Sequence, residues 1–324
     1  MSLFSMNIIS ALLAPSLAIA FPLPMGQSIE PEGAKKADGE IVAIESDRAQ
    51  RMTVPVSIEG RGPFSFVIDT GAERTVLSRK IANRLALDAE EPAELMSMAG
   101  RSIVDMVYVP ELTLGSKSYD SLIAPVLLAR HIGADGILGL DGLQDQRILF
   151  DFVKNQIAIE DTAEPRNISS RREIIVTARR KSGQLIFTEA TISGVKVNVI
   201  VDTGAQVSIA NLVLKKRLIR RSKELGQENS LIAVTGDTLG IEFGRARDFR
   251  IGRAQFDNLP LAFADAPPFE RLGMAKKPAL LLGMDVLRKF DSVAIDFKKR
   301  KIHFLLPKNT QRRFEQPKST RIRS

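Results

Sequence analysis

The tetrapeptide Asp-Thr-Gly-Ala occurs twice, at Asp69–Ala72 and Asp202–Ala205, each time at the end of a run in which apolar residues alternate. A given tetrapeptide turns up by chance at roughly one position in 10^5, so two copies in one chain point to a duplication. In the first run Phe64, Phe66 and Ile68 share a face; in the second Val195, Val197, Val199 and Val201 do. That period of two belongs to a half-buried strand, so both strands present an aspartate in the same phase. The match continues downstream in the same order. A hydroxyl follows six residues after each aspartate (Thr75, Ser208), then an apolar-Gly segment (Ile137–Leu143, Leu281–Leu287), then Leu149–Ile159 and Ala294–Phe304. From aspartate to the later glycine the spacing is 70 residues in the first half (Gly139) and 81 in the second (Gly283), which predicts a longer surface loop there. A unit this long, present only twice, predicts a pseudo-dimer, because stacked repeats need at least three copies.

Either copy alone would be an ordinary strand-to-turn element, with the aspartate accepting local amides and the glycine at positive φ. Repetition in phase argues for a paired site. Together these motifs resemble the aspartic peptidases, in their retropepsin-like branch, over about Thr53 to Leu306. The resemblance implies a mostly-β fold of two homologous acid-protease lobes, a single-chain pseudo-dimer with an interlobe cleft and Asp69 and Asp202 at its floor. It also implies an endopeptidase that needs no cofactor or metal. Two facing carboxylates sharing one proton supply both the base that activates water and the acid that protonates the departing amide, because like charges about 3 Å apart cannot both ionise. Gly71 and Gly204 permit the tight turn that exposes each carboxylate and gives it a backbone N–H. By the resemblance, Thr70 and Thr203 hydrogen-bond across to the opposite loop, and Gly139 and Gly283 form scaffolding behind the site. Asp141 and Asp285 read as turn or capping residues.

The chain departs from the family in two places. Ala72 and Ala205 stand where pepsin-like enzymes often carry a hydroxyl that bonds the carboxylate, and losing such a bond raises a pKa, so the activity optimum is expected to be milder than strongly acidic. The flap hairpins are expected at Ser97–Ser102 and Ala233–Thr238, with Gly100 and Gly236 in their turns. Neither tip carries the tyrosine of pepsin-like flaps; the two tyrosines are Tyr108 and Tyr119.

Composition narrows the competing chemistries. The chain has no cysteine, hence no thiol nucleophile, disulfide or cysteine zinc site. Its two histidines, His131 and His303, are far apart in sequence, and there is no G-x-S-x-G elbow. Gly133–Gly142 lacks both the G-x-G-x-x-G spacing and the lysine of a phosphate-binding loop. A noncatalytic peptide-binding or dimerisation module on the same fold remains the alternative function.

The first 20 residues are uncharged and end in Ala18 and Ala20 at A-x-A spacing, which reads as a secretory signal, with secretion or a periplasmic location expected and a membrane anchor as the alternative. Residues 21–49 read as a flexible leader, 50–160 and 173–306 as the lobes, and 161–172 as a linker that includes the glycosylation-type triplet Asn167-Ile168-Ser169. The net charge of +8 is concentrated in the tail, 307–324, which carries +5 and leaves +3 for the rest. The tail is expected to be disordered and to touch anionic surfaces weakly; no recognition motif argues for a specific nucleic-acid partner. A second basic run, Lys215 to Lys223, reads as a solvated helix face. The expected partner is a peptide or protein substrate, and the expected state a monomer.

Overall fold

In the computed structural model of the chain, residues 6–7, 11–12, 39–42, 45–46, 52–143, 146–161, 172–219 and 228–308 are described, the first four stretches by their backbone alone. The expected signal and leader are thus described only in short strands, and most of the linker (162–171), the end of the second basic run and the tail beyond residue 308 lie outside the described residues.

The molecule is mostly β, and its two halves repeat one plan. In the first, Met52–Ile58 pairs antiparallel with Arg61–Ile68, which runs parallel to Gly136–Leu138. Val76–Ser78 closes on the other side of Gly136–Leu138. Ser78 then starts the helix Arg79–Leu85 by accepting the Ile81 amide, and Ala86 ends it in the left-handed conformation. A long hairpin, Ala89–Ser97 with Gly100–Leu114, extends the same sheet, and Lys117–Leu127 pairs with its second strand on one side and with Val76–Ser78 on the other.

The second half reproduces each step. Val195–Val201 runs parallel to Ala279–Leu282, and Ile209–Asn211 closes against that strand. Asn211 accepts the Leu214 amide at 3.0 Å at the start of the helix Leu212–Ile219. The hairpin Glu228–Ala233 with Thr238–Ile251 follows, then Ala254–Ala264. Part of the extra length of this half lies between Ala264 and Ala279, where the short helix Pro267–Arg271 sits.

The segments Leu149–Ile159 and Ala294–Phe304 fall in hairpins that join the lobes. Gln146–Asp151 and Gln156–Asp161 from the first half lie beside Ser292–Asp296 and Lys301–Leu305 from the second, in one six-stranded sheet edged by Glu173–Thr177 and Gly39–Val42. Ile148 faces Ile295, and Phe150 faces Val293. The apolar side of this sheet meets the lobe interiors: the Phe304 ring packs on Phe290 at 4.9 Å and edge-on to Phe187 at 5.9 Å. One contiguous core therefore runs from Phe66 through Phe150 to Phe187 and Phe249. The lobes are held in fixed relation where the two aspartate loops meet.

Candidate active site

Each aspartate stands just past the last residue of its strand, where the backbone turns through Thr-Gly-Ala. The turn points amides at the carboxylate. Asp69 Oδ1 accepts from Gly71 N (2.7 Å) and Ala72 N (3.1 Å); Asp202 Oδ1 accepts from Gly204 N and Ala205 N, both at 3.0 Å. A strand ending in any residue with a Cβ at the glycine position would not reach this arrangement. A Cβ on Gly71 would lie 2.8 Å from the Asp202 Cγ, so the glycine is required by the approach of the opposite lobe.

The threonines tie the two loops together. Thr70 Oγ1 donates to the Val201 carbonyl and Thr203 Oγ1 donates to the Ile68 carbonyl, each at 2.8 Å. Each hydroxyl also accepts the other threonine's amide at 3.1 Å. Four hydrogen bonds, all buried, thus cross the pseudo-twofold axis and fix the relative position of the carboxylates.

Both aspartates are 0% exposed. Burial pushes the Asp202 carboxyl well above its ordinary pKa, the Asp69 charge and an Asp69–Asp202 hydrogen bond raise it further, and the Ala205 and Gly204 amides pull it partly back. Two carboxyls this close titrate as a pair rather than singly.

Behind the loops, the hydroxyls six residues on have matching work. Thr75 Oγ1 donates to Asp141 Oδ1 (2.8 Å) and accepts the Gly139 amide (3.2 Å); Ser208 Oγ donates to Asp285 Oδ1 (2.6 Å) and accepts the Gly283 amide (3.0 Å). Leu140 N and Met284 N bond the carbonyls of Ala72 and Ala205 at 2.8 Å. A Cβ on Gly139 would lie 2.3 Å from the Arg74 backbone, and one on Gly283 2.8 Å from the Val207 backbone. These glycines let one backbone segment brace another.

Gly100 and Gly236 lie in the turns of the two projecting hairpins, at φ +147 and +94. The tips are exchanged between lobes. Met98, 0% exposed, packs among second-lobe residues that include Ile186, Leu231 and Phe269, while Val234, also 0% exposed, packs among first-lobe residues that include Ala72, Val76 and Ile137. A polar clasp joins the tips: Ser102 Oγ donates to Asp237 Oδ2 at 2.7 Å, and Thr235 Oγ1 lies within hydrogen-bonding distance of Ser97 Oγ (3.2 Å) and Asp237 Oδ2 (2.7 Å). The Ser102 and Thr235 hydroxyls hold the Asp237 carboxyl below the usual carboxylate range. Gly236 sits on the His131 imidazole, where a Cβ would come within 2.4 Å of Cε1.

Sequence reasoning missed several residues here. Gln184, fully buried, reaches from the second lobe to donate to the Gly71 carbonyl at 2.9 Å. Arg271 pairs across the lobes with both oxygens of Glu73 at 3.0 Å. Neither lies in a repeated motif, so the comparison of halves carried no signal for them. Asp237 lies inside the flap segment that the sequence marks out, but nothing local shows its partner. Among the described residues no group of three or more His, Asp or Glu side chains could hold a metal ion.

The aspartyl protease family model matches the chain over residues 54–141 and again over residues 188–286. No curated protein matches the chain.

Proposed function

The chain belongs to the aspartyl protease family, and from that premise we propose that it is an aspartic endopeptidase that hydrolyses peptide bonds with water activated between Asp69 and Asp202. The observation that carries the reading is the pairing of two buried carboxyls on symmetry-related loops, with Asp202 raised by burial and by the Asp69 charge. The ionised member takes a proton from water as the water oxygen attacks the carbonyl carbon. The protonated member hydrogen-bonds the carbonyl oxygen, and a proton then passes to the amide nitrogen as the C–N bond breaks. Atoms balance with one water consumed and no covalent enzyme intermediate. Thr70 and Thr203 position the pair, and the two flaps cover it, an arrangement suited to holding an extended peptide between main-chain edges. We further propose that one chain carries a complete site and acts as a monomer. Secretion or a periplasmic location rests on the uncharged N-terminal stretch alone; no helix among the described residues is long and apolar enough to cross a membrane.

Asp69→Asn and Asp202→Asn are each expected to cut kcat by about 10^2- to 10^4-fold on an unstructured peptide library while leaving the circular-dichroism spectrum unchanged. Undiminished cleavage in either variant would remove the dyad assignment.

A further inference from the structure

The contacts that hold the two carboxylates come in matching pairs: loop amides on each Oδ1, crossed threonine hydroxyls, and Thr75 or Ser208 bracing from behind. Gln184 breaks the pairing. Its side chain, 0% exposed, reaches from the second lobe to the Gly71 carbonyl at 2.9 Å, and a carbonyl only accepts, so the amide nitrogen is the atom that faces it. Among the described residues no side chain donates in this way to the Gly204 carbonyl. The residue is seated for this contact. It opens the strand Gln184–Ile192 just past Ser182 and Gly183, where a Cβ on Gly183 would lie 3.0 Å from Leu140 of the first lobe. Leu140 is the residue whose amide braces the Ala72 carbonyl.

The bond lands on the peptide group that serves Asp69. The Gly71 carbonyl and the Ala72 N–H belong to one peptide unit, and that N–H donates to Asp69 Oδ1 at 3.1 Å. Hydrogen bonds in a chain polarise one another: a donor on the carbonyl draws electron density toward oxygen and leaves the N–H of the same unit a better donor. Gln184 Nε2, the peptide unit and the Asp69 carboxylate form such a chain, buried throughout. The matching unit of Gly204 and Ala205 donates to Asp202 at 3.0 Å without that help. The penalty attached to Gln184 argues in the same direction. Its Oε1 is buried with no hydrogen-bond partner among the described residues, a cost that Met or Leu at this position would not incur. Packing alone therefore does not account for an amide here.

We infer that Gln184 is a positioning residue that acts through the Gly71–Ala72 peptide to place the negative charge of the pair on Asp69, leaving the shared proton on Asp202. The inference rests on the endopeptidase reading of the same site for its catalytic consequence, but not for the placing of the charge. In that reading Asp69 takes one proton from water as the water oxygen bonds to the carbonyl carbon, while Asp202 gives its proton to the carbonyl oxygen. As the C–N bond breaks, the proton on Asp69 passes to nitrogen, and Asp202 recovers one from a hydroxyl of the gem-diol, which leaves the carboxylic acid. The raised pKa of Asp202, to which the Asp69 charge contributes, agrees with this division. Formal charges around the two loops cancel on each side. Arg74 and Arg271 stand with Glu73 and Asp141 by the first, and Lys289 stands with Asp285 by the second, so the bias falls to the hydrogen bond.

The charge is read directly, with or without turnover. In full-length chain carrying Asp202→Asn, so that Asp69 titrates alone, carbon NMR of labelled aspartate follows the Asp69 carboxyl as pH is varied. Adding Gln184→Met, which keeps the length and removes the donor, is expected to raise the Asp69 pKa by roughly 0.3–0.6, the share of a charge-assisted bond that polarisation supplies. The same substitution in the Asp69→Asn chain is expected to leave Asp202 unmoved. Gln184→Asn, which sets its amide one methylene short of the Gly71 carbonyl, is expected to move Asp69 in the same direction and is the second variant should Gln184→Met not fold. In the chain with both aspartates, Gln184→Met is expected to move the acid limb of the kcat/KM profile up by a similar amount, whereas loss of a purely structural contact lowers kcat evenly across pH. An unmoved Asp69, or equal movement of Asp69 and Asp202, overturns the inference. Failure of both variants to fold assigns Gln184 to the fold alone and also overturns it, as does an acid limb that stays in place while the protein cleaves. Movement of Asp69 alone with no cleavage by the parent chain leaves the placing of the charge standing and removes the endopeptidase reading instead.

Discussion

Asp202 shows how much a carboxyl's surroundings decide its charge. Burial and the neighbouring Asp69 raise its pKa, so ionising it costs the native state more than the unfolded one. Its contribution to stability is therefore fully present below the ordinary carboxylate range and is lost as pH rises through the raised native value. Asn at this position keeps an oxygen for the Gly204 and Ala205 amides without the charge. Asp202→Asn is accordingly expected to melt at least about 2 °C above the parent at pH 8, with the difference closing toward pH 4 in calorimetry. A parent that is the more stable at pH 8 would mean that the site welcomes the charge. If the proposed activity holds, the same shift is expected to place the alkaline limb of the kcat/KM profile above the range of a free carboxyl, which a pH–rate profile checks. At this scale the sequence was legible where chemistry is local: Asp-Thr-Gly-Ala specifies a turn that brings the amides two and three residues on to the carboxylate. Gln184 was not legible, because its partner carbonyl is 113 positions away.

The two flap hairpins carry the same lesson at the scale of an element. Their turns could be expected from a glycine between alternating strands, yet the exchange of Met98 and Val234 between lobes could not, since it joins residues from opposite halves of the chain. Fully burying one such side chain stabilises the closed state by roughly 1.5–3 kcal/mol. Met98→Ala or Val234→Ala is therefore expected to raise amide exchange across Leu95–Arg101 or Leu231–Thr238 by about tenfold to a hundredfold, with little change in the six-stranded sheet. Exchange that rises equally everywhere would show that the tips support global stability rather than closure. The Asp237 clasp adds a pH dependence of opposite sign to that of Asp202. Its carboxyl is depressed by Ser102 and Thr235, so the clasp is present above the ordinary carboxylate range and is lost as pH falls through the depressed value.

For the whole molecule, the six-stranded sheet and the crossed threonines join the two lobes. Thermal unfolding is expected as one transition with matching calorimetric and van't Hoff enthalpies, and two resolved transitions would show the lobes to be independent. Phe304→Ala, at the junction of sheet and lobe, should cost about 3–5 kcal/mol in that single transition. The proposed monomer is checked by sedimentation of the active protein, which is expected at the mass of one chain. Strand phase, the tight turns and the order of motifs follow from residue types a few positions apart, and these the sequence determined by itself: two like halves, each ending a strand in Asp-Thr-Gly. Which edges pair across the halves, how Ile148 comes to face Ile295, and whose core each flap tip enters were decided only in the tertiary structure. Such contacts join residues from opposite halves of the chain, and no local period encodes them; they form where packing the largest apolar area leaves the fewest unpaired backbone groups.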